Sequence, residues 1–133
     1  MRVRPILVAV AAAALASLGL AVPAEADHSW GDYHWARTAN PFTLKLGDNV
    51  NASWDSYLAT TSSDWTQSTV LNTTIVAGSS SKPRQCRTTT GTVQVCNDTY
   101  GNNGWLGIAG ISLSGSHITK SYVKVNDTYF NSP

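Results

Sequence analysis

The sequence is poor in glutamate and in charge. Glu25 is its single glutamate, so there is no pair of glutamates for glycoside hydrolysis. Neither a Gly-x-Ser-x-Gly nucleophile elbow nor a glycine-rich phosphate loop occurs. Charged residues make up 13% of the chain, and no basic stripe suggests a nucleic-acid partner. The sequence therefore contains no assembled catalytic constellation, and we assign no catalytic residue.

The N-terminus has the features of a secretory signal peptide. Arg2 and Arg4 precede an apolar run, which ends in a small-x-small pattern before Asp27. The run is slightly shorter than the roughly 20 residues of a spanning helix, so a membrane anchor is the disfavoured alternative. We predict a signal peptide at 1–26, a secreted single domain at 27–133, and no membrane association after cleavage. That domain keeps seven basic and seven acidic residues and is formally neutral.

The sequence has two cysteines, Cys86 and Cys96, and export to an oxidising compartment favours a disulfide between them. The residues between them suggest a β-hairpin that turns near Gly91, with Thr89 opposite Val93. A redox or metal pair is disfavoured, because the spacing is not Cys-x-x-Cys and no second Cys/His pair accompanies it.

The middle of the chain predicts a βαβ unit. Alternating apolar residues predict a strand at Phe42–Leu46, which Gly47 and the polar residues after it should end. The apolar residues after this strand have helical spacing as far as Trp65, which predicts a helix. A second strand is expected at Val70–Ala77. The two strands should be parallel with a right-handed crossover. Plausible N-caps for the helix are Asp48, Asn49 and Asn51.

Two further β-rich runs precede the C-terminus, separated by Gly115-Ser116. In the first, Ile111 and Leu113 share one face, and a bulge near Gly110 would bring the earlier apolar residues onto it. The second run, Ile118–Val125, has a strongly β-favouring core. With the βαβ unit, these runs predict a mixed sheet with one helix on a face. That architecture is incomplete, because parallel strands usually need both faces covered.

Three other patterns carry weak signals. The histidines His28, His34 and His117 are scattered, which does not support a metal site. The aromatic-rich segment 28–35 could stack on sugars, but packing over the sheet edge is favoured. Asn-x-Ser/Thr sequons, which arise easily by chance in so Asn/Thr-rich a chain, begin at Asn51, Asn72, Asn97 and Asn126.

Three segments, Tyr33–Asn49, Tyr100–Ala109 and Val123–Asn131, together resemble the N-terminal part of secreted bacterial matrixin-like zinc metallopeptidases of the metzincin type. The resemblance implies an α+β fold: a twisted, mainly parallel sheet with an antiparallel edge strand and one packing helix. The family's His-Glu-x-x-His-x-x-Gly-x-x-His segment, expected shortly after Asn131, is absent from this sequence. No zinc ligand or catalytic glutamate can therefore be carried over, and zinc is expected only for the complete family domain.

The resemblance also implies a substrate strand. Ile108, Ala109, Gly110 and Ile111 lie where the family's edge strand would offer backbone groups to an extended peptide. The first hypothesis is thus the N-terminal half of a secreted zinc metalloendopeptidase-like domain, inactive as this chain. The alternative is a self-sufficient secreted β-rich module that binds peptide or glycan. A protease inhibitor is disfavoured, because one short disulfide and no rigid reactive loop are evident.

Overall fold

A computed structural model describes residues 30–130. The predicted signal peptide, its cleavage site, His28 and the residues after Phe130 lie outside the described residues. The elements, in chain order, are β1 (His34–Trp35), β2 (Phe42–Asn49), α1 (Asp55–Trp65), β3 (Leu71–Ala77), a 3-10 turn (Pro83–Gln85), β4 (Thr92–Asp98), β5 (Gly107–Ser114) and β6 (His117–Asn126).

The six described strands form one mixed, mostly parallel sheet. β3, β2, β4 and β6 lie side by side in that order, and each adjacent pair is parallel. β5 is antiparallel to β6 and pairs with it from His117 to Val125. The short β1 pairs with the start of β6, at His117 and Ile118. β5 pairs along one edge of β6. β1 and β4 therefore both pair with the opposite edge of β6. The expected mixed sheet with one helix on a face is confirmed for the described residues.

The βαβ unit is confirmed, but its boundaries differ from the prediction. β2 runs on through Asn49, because its last residues pair with β3 on one side and β4 on the other. The helix therefore begins later, at Asp55, and Trp54 precedes it without a side-chain cap. Asn51 is not the N-cap; its side chain accepts a hydrogen bond from the Ser53 amide in a turn before the helix.

The predicted hairpin between the cysteines is wrong, although their disulfide is confirmed. β4 lies between β2 and β6, so both of its edges are already hydrogen-bonded and no hairpin partner can pair with it. Cys86 instead follows the 3-10 turn, with φ +49°. From there it reaches Cys96, which is fully buried on one face of β4.

The bulge expected near Gly110 lies elsewhere. Ser112 pairs with Lys120 and Leu113 with Ile118, so Thr119 is the extra residue. Gly110 keeps its regular register opposite Tyr122. The turn at Gly115-Ser116 joins β5 to β6 as predicted, and Gly115 adopts the positive φ that favours glycine.

The two faces of the sheet are covered by different parts of the chain. Helix α1 lies over one face, where Leu58 is its one buried residue. Residues 78–91, which connect β3 to β4, are tied to the other face by the disulfide and by side-chain amides. This connection thus covers the face for which the sequence supplied no second helix.

Gln94 is the main anchor of that connection. Its side chain is 1% exposed, and its Oε1 accepts hydrogen bonds from Asn49 Nδ2 at 2.7 Å and from the Ser79 amide at 3.1 Å. Its Nε2 donates to Thr92 Oγ1, and Asn49 Oδ1 accepts from the Ser80 amide. The side-chain amides of Asn49 in β2 and Gln94 in β4 therefore hold the first residues of the connection.

Gln94→Leu is expected to lower the free energy of unfolding by about 1–3 kcal/mol, because Asn49 Nδ2 and the Ser79 amide lose their hydrogen bonds to Oε1 and Thr92 Oγ1 loses the one that Nε2 donates. Urea unfolding followed by tryptophan fluorescence measures the change. Gln67→Leu, at an exposed glutamine, is the matched control and should have little effect. Equal effects of the two substitutions would contradict the role given to Gln94.

Replacing both cysteines, Cys86→Ser with Cys96→Ser, is expected to cost on the order of 2–3 kcal/mol through loss of the short-loop crosslink. Hydrogen exchange should show the largest loss of protection in residues 78–91, which the disulfide holds against β4. A reductant should destabilise the wild-type chain and leave the double variant unchanged. Unaltered exchange in this segment would show that the amide contacts alone hold it.

Candidate functional site

The residues predicted as the substrate strand lie together in β5. Only β6 pairs with β5 among the strands of the described region, so the outer edge of β5 is open. Ile108 is 42% exposed, and Ala109 is also exposed, whereas Gly110 and Ile111 are half-buried. An extended chain could therefore approach this edge without displacing another strand.

Half of the backbone groups of β5 point outward along this edge. Just beyond the last paired residues of β5 and β6, Asn126 lies opposite Leu106 in the same register. The Asn126 N–H donates to Leu106 O at 2.8 Å. Since bonded and non-bonded pairs alternate along antiparallel strands, residues 108, 110 and 112 bond to β6. Ala109 and Ile111 then direct their N–H and C=O groups to the free edge. These two residues carry the backbone groups that an added strand would use.

An apolar groove lies between α1 and the sheet. Its volume is about 420 Å³, and it is open to solvent on one side. Its floor is made of Leu and Val side chains from the central strands, and its walls are aromatic residues of β1 and α1. The residues that define it include Trp35, Leu44, Leu46, Trp54, Leu58, Trp65, Val93, Val95, Val123 and Val125.

The opposite face of β6 carries alternating cations and aromatic rings. The Lys124 ammonium lies 5.3 Å from the Tyr122 ring centre and 5.4 Å from that of Tyr100. The Arg84 guanidinium lies 5.2 Å from the Tyr100 ring centre. It also forms a 3.4 Å ion pair with Asp98. We call Lys120, Tyr122, Lys124, Tyr100 and Arg84 the cation-aromatic row.

The environment of Tyr100 changes its acidity. Burial raises the pKa of Tyr100 above that of an ordinary tyrosine; the Asp98 carboxylate acts in the same direction, and Arg84 opposes it. The hydroxyl donates to the Arg84 carbonyl at 3.1 Å. Neutral Tyr100 is therefore the form that the folded chain favours.

The fold brings two of the three scattered histidines together. His34 and His117 are paired residues of β1 and β6, and their ring centres are 4.8 Å apart. His34 Nδ1 lies 2.6 Å from the Asp32 carbonyl oxygen. No local sequence pattern indicates this proximity, because 83 positions separate the two histidines along the chain.

The Asn-Asp doublets that end the parallel strands hold loops in place. Asn97 accepts from the Asn51 amide, and its Nδ2 donates to the Asp127 carboxylate at 2.5 Å. Asp127 also accepts from Trp54 Nε1 at 2.9 Å. Asn126 is fully buried and binds the 100–105 loop through both of its side-chain polar atoms. The sequons at Asn97 and Asn126 are therefore inaccessible in the fold.

The aromatic segment before β1 is divided between two environments. Trp35 lines the groove, whereas Trp30 is 76% exposed and touches Tyr33 in an edge-to-face contact. The expected packing over the sheet therefore holds for Trp35 but not for Trp30.

No protein-family model, no curated protein and no solved structure matches this chain. Within residues 30–130, no group of three or more His, Cys, Asp or Glu side chains could hold a metal ion. No helix of the described region has the length and apolar character needed to cross a bilayer.

Sequence reasoning placed the edge strand but missed the row behind it. Lys120, Tyr122 and Lys124 alternate along one strand, and this spacing is the signal that puts them on one face. Their meeting with Arg84 and Tyr100 depends on the sheet order, which no local pattern reveals.

A pH series should reveal the raised pKa of Tyr100. Because the folded pKa lies above the unfolded one, the stabilisation is fully present below the ordinary tyrosine pKa and is lost as pH rises through the raised value. The difference in Tm between wild type and Tyr100→Phe should therefore decrease as the pH rises above the ordinary tyrosine pKa. Tyr57→Phe, on α1, is the control. A difference that does not change with pH would contradict this assignment.

Proposed function

We propose that this chain is the N-terminal part of a secreted zinc metalloendopeptidase-like domain of the matrixin type, and that β5 binds extended peptide substrate by strand addition. The observation that carries the proposal is the open edge of β5, the one antiparallel strand in an otherwise parallel described sheet. Added strands form main-chain hydrogen bonds to such an edge, and side-chain pockets then select among sequences.

The arrangement of the elements supports the family part of the proposal. The resemblance implied a mainly parallel sheet with an antiparallel edge strand and one packing helix, and the chain combines these features from β2 to β6. The groove between α1 and the Val side chains of β4 and β6 is an apolar surface of the kind that a further helix could cover.

Zinc does not fit the described residues. The close histidine pair, His34 and His117, is at the start of β6, roughly 30 Å by strand length from its end. The resemblance would set the zinc-binding helix after that end. The function proposed for this chain is therefore peptide binding, without a hydrolytic step. The disulfide accords with secretion into an oxidising compartment.

The coding DNA beyond the codon for Pro133 tests the family part of the proposal. A His-Glu-x-x-His-x-x-Gly-x-x-His segment within a few hundred bases, in frame or one shift away, would support a zinc-dependent peptidase. Its absence in all forward frames would leave peptide binding without the enzyme.

A second candidate is a self-sufficient secreted peptide-binding module. It is favoured by the complete pairing of buried polar side-chain atoms within the described chain. A monodisperse product with a sharp, cooperative thermal transition would favour this candidate. Aggregation through the open groove would favour the first.

Ala109→Pro is expected to abolish peptide binding while leaving the fold intact. Proline removes the N–H that faces the free edge, and edge strands tolerate proline where that N–H faces solvent. Fluorescence anisotropy with a labelled extended peptide measures binding, and circular dichroism checks the fold.

A peptide with N-methylated backbone amides is the matched ligand control and should bind neither protein. If the folded Ala109→Pro variant bound peptide as tightly as the wild type, strand addition at β5 would be wrong.

A further inference from the structure

The Tyr122 ring lies across the backbone of β5. Tyr122 is the cross-strand partner of Gly110, and a Cβ built on Gly110 would meet its ring edge at 2.5 Å and its hydroxyl oxygen at 2.7 Å. Glycine at this position therefore lets the phenol of the inner strand reach over the outer strand. Tyr122 is half-buried, and its hydroxyl lies over Gly110 at the open edge, where a ligand added to β5 can bond to it.

The Lys124 ammonium stands beside the same phenol. It contacts the Tyr122 and Tyr100 rings and has no carboxylate partner in the described chain. Lys120 lies on the other side of Tyr122, opposite Ser112. The β5 residues opposite Tyr122 and Lys120 are the small Gly110 and Ser112, which leave this part of the row accessible from the edge, whereas Ile108 lies opposite Lys124.

The acidic groups near this row are already engaged. Asp98 is ion-paired with Arg84. Asp127 accepts hydrogen bonds from Asn97 and from Trp54 Nε1. The uncompensated charge beside the free edge is therefore positive, although the secreted chain is formally neutral as a whole.

We propose that β5 selects extended peptides that carry a carboxylate side chain opposite Gly110, with Tyr122 and Lys124 as the recognition residues. This selectivity rests on the proposed strand addition. Opposed residues of neighbouring strands project to the same face, so the peptide side chain opposite Gly110 meets the Tyr122 hydroxyl. Strands lie about 4.8 Å apart, and an aspartate or glutamate can span the remaining distance.

The energetics favour a carboxylate over a neutral amide. A hydrogen bond from a phenol to a carboxylate is roughly twice as strong as one between neutral groups. The ammonium held beside the ring adds attraction, which salt weakens over a Debye length of about 10 Å at 0.1 M. A lysine at the same peptide position would meet the cations of the row and bind less tightly.

The test uses the full secreted chain and three fluorescein-labelled peptides, Thr-Val-Xaa-Val-Thr-Val with Xaa as Glu, Gln or Lys. Anisotropy titrations at low ionic strength and at 1 M NaCl give the Kd values. The Glu peptide is expected to bind about tenfold more tightly than the Gln peptide. High salt should reduce that ratio, and the Lys peptide should bind most weakly.

Two variants assign the preference to named residues. Tyr122→Phe keeps the ring and removes the hydroxyl, and Lys124→Met keeps the stem and removes the charge. Each should reduce the Glu-to-Gln ratio to about threefold or less. Tyr57→Phe and Lys45→Met are the matched controls on other elements, and they should leave the ratio unchanged.

The outcomes separate this inference from the proposed function. If no peptide binds at all, both are overturned. If the three peptides bind equally and Ala109→Pro abolishes that binding, strand addition stands and the selectivity is wrong. A Glu preference that survives both Tyr122→Phe and Lys124→Met would place carboxylate recognition elsewhere and overturn this site.

Discussion

The fold depends on the position of β4 between two parallel neighbours. With both edges hydrogen-bonded, β4 can contribute to the rest of the molecule only through its two faces. One face presents Val93 and Val95 to the groove under α1. The other buries Gln94 and Cys96, which bind the connection from β3. A buried amide must have its partners, because an unsatisfied one costs about 1–3 kcal/mol. Gln94 therefore determines where that connection runs.

This different use of the two faces explains how residues 30–130 cover a mainly parallel sheet with one helix. The second cover is an irregular segment, held by one disulfide and by the side chains of Asn49 and Gln94. Buried polar side chains of this kind fix the position of the segment where few apolar contacts would hold it. The helix side has the opposite character, with many apolar side chains and an incompletely filled groove.

The two surfaces of the proposed peptide site follow from the same arrangement. β5 is the outermost strand at one end of the sheet, so its outward N–H and C=O groups are available for strand addition. β6 lies directly behind it, and Gly110 lets the Tyr122 side chain extend over β5. The backbone groups and the side chains of the proposed peptide site therefore meet at one point on the edge, although they belong to different strands.

The sequence alone determined the local elements. Apolar alternation identified β2, β-favouring residues identified β3 and β6, helical spacing identified α1, and Gly115 marked the turn between β5 and β6. The presence of only two cysteines, together with the predicted signal peptide, was enough to predict the disulfide. These features depend on residues close together in sequence, where periodicity and turn preferences act.

Only the tertiary structure decided which strands are neighbours. The hairpin expected around Gly91 does not form, because β4 is a central strand. No local sequence pattern indicates that β4 is central. The contact of His34 with His117, and the gathering of Arg84, Tyr100 and Lys124, likewise join residues far apart in the chain. Strand order is set by non-local hydrogen bonding and by burial of whole faces, so side chains meet in ways that periodicity cannot encode.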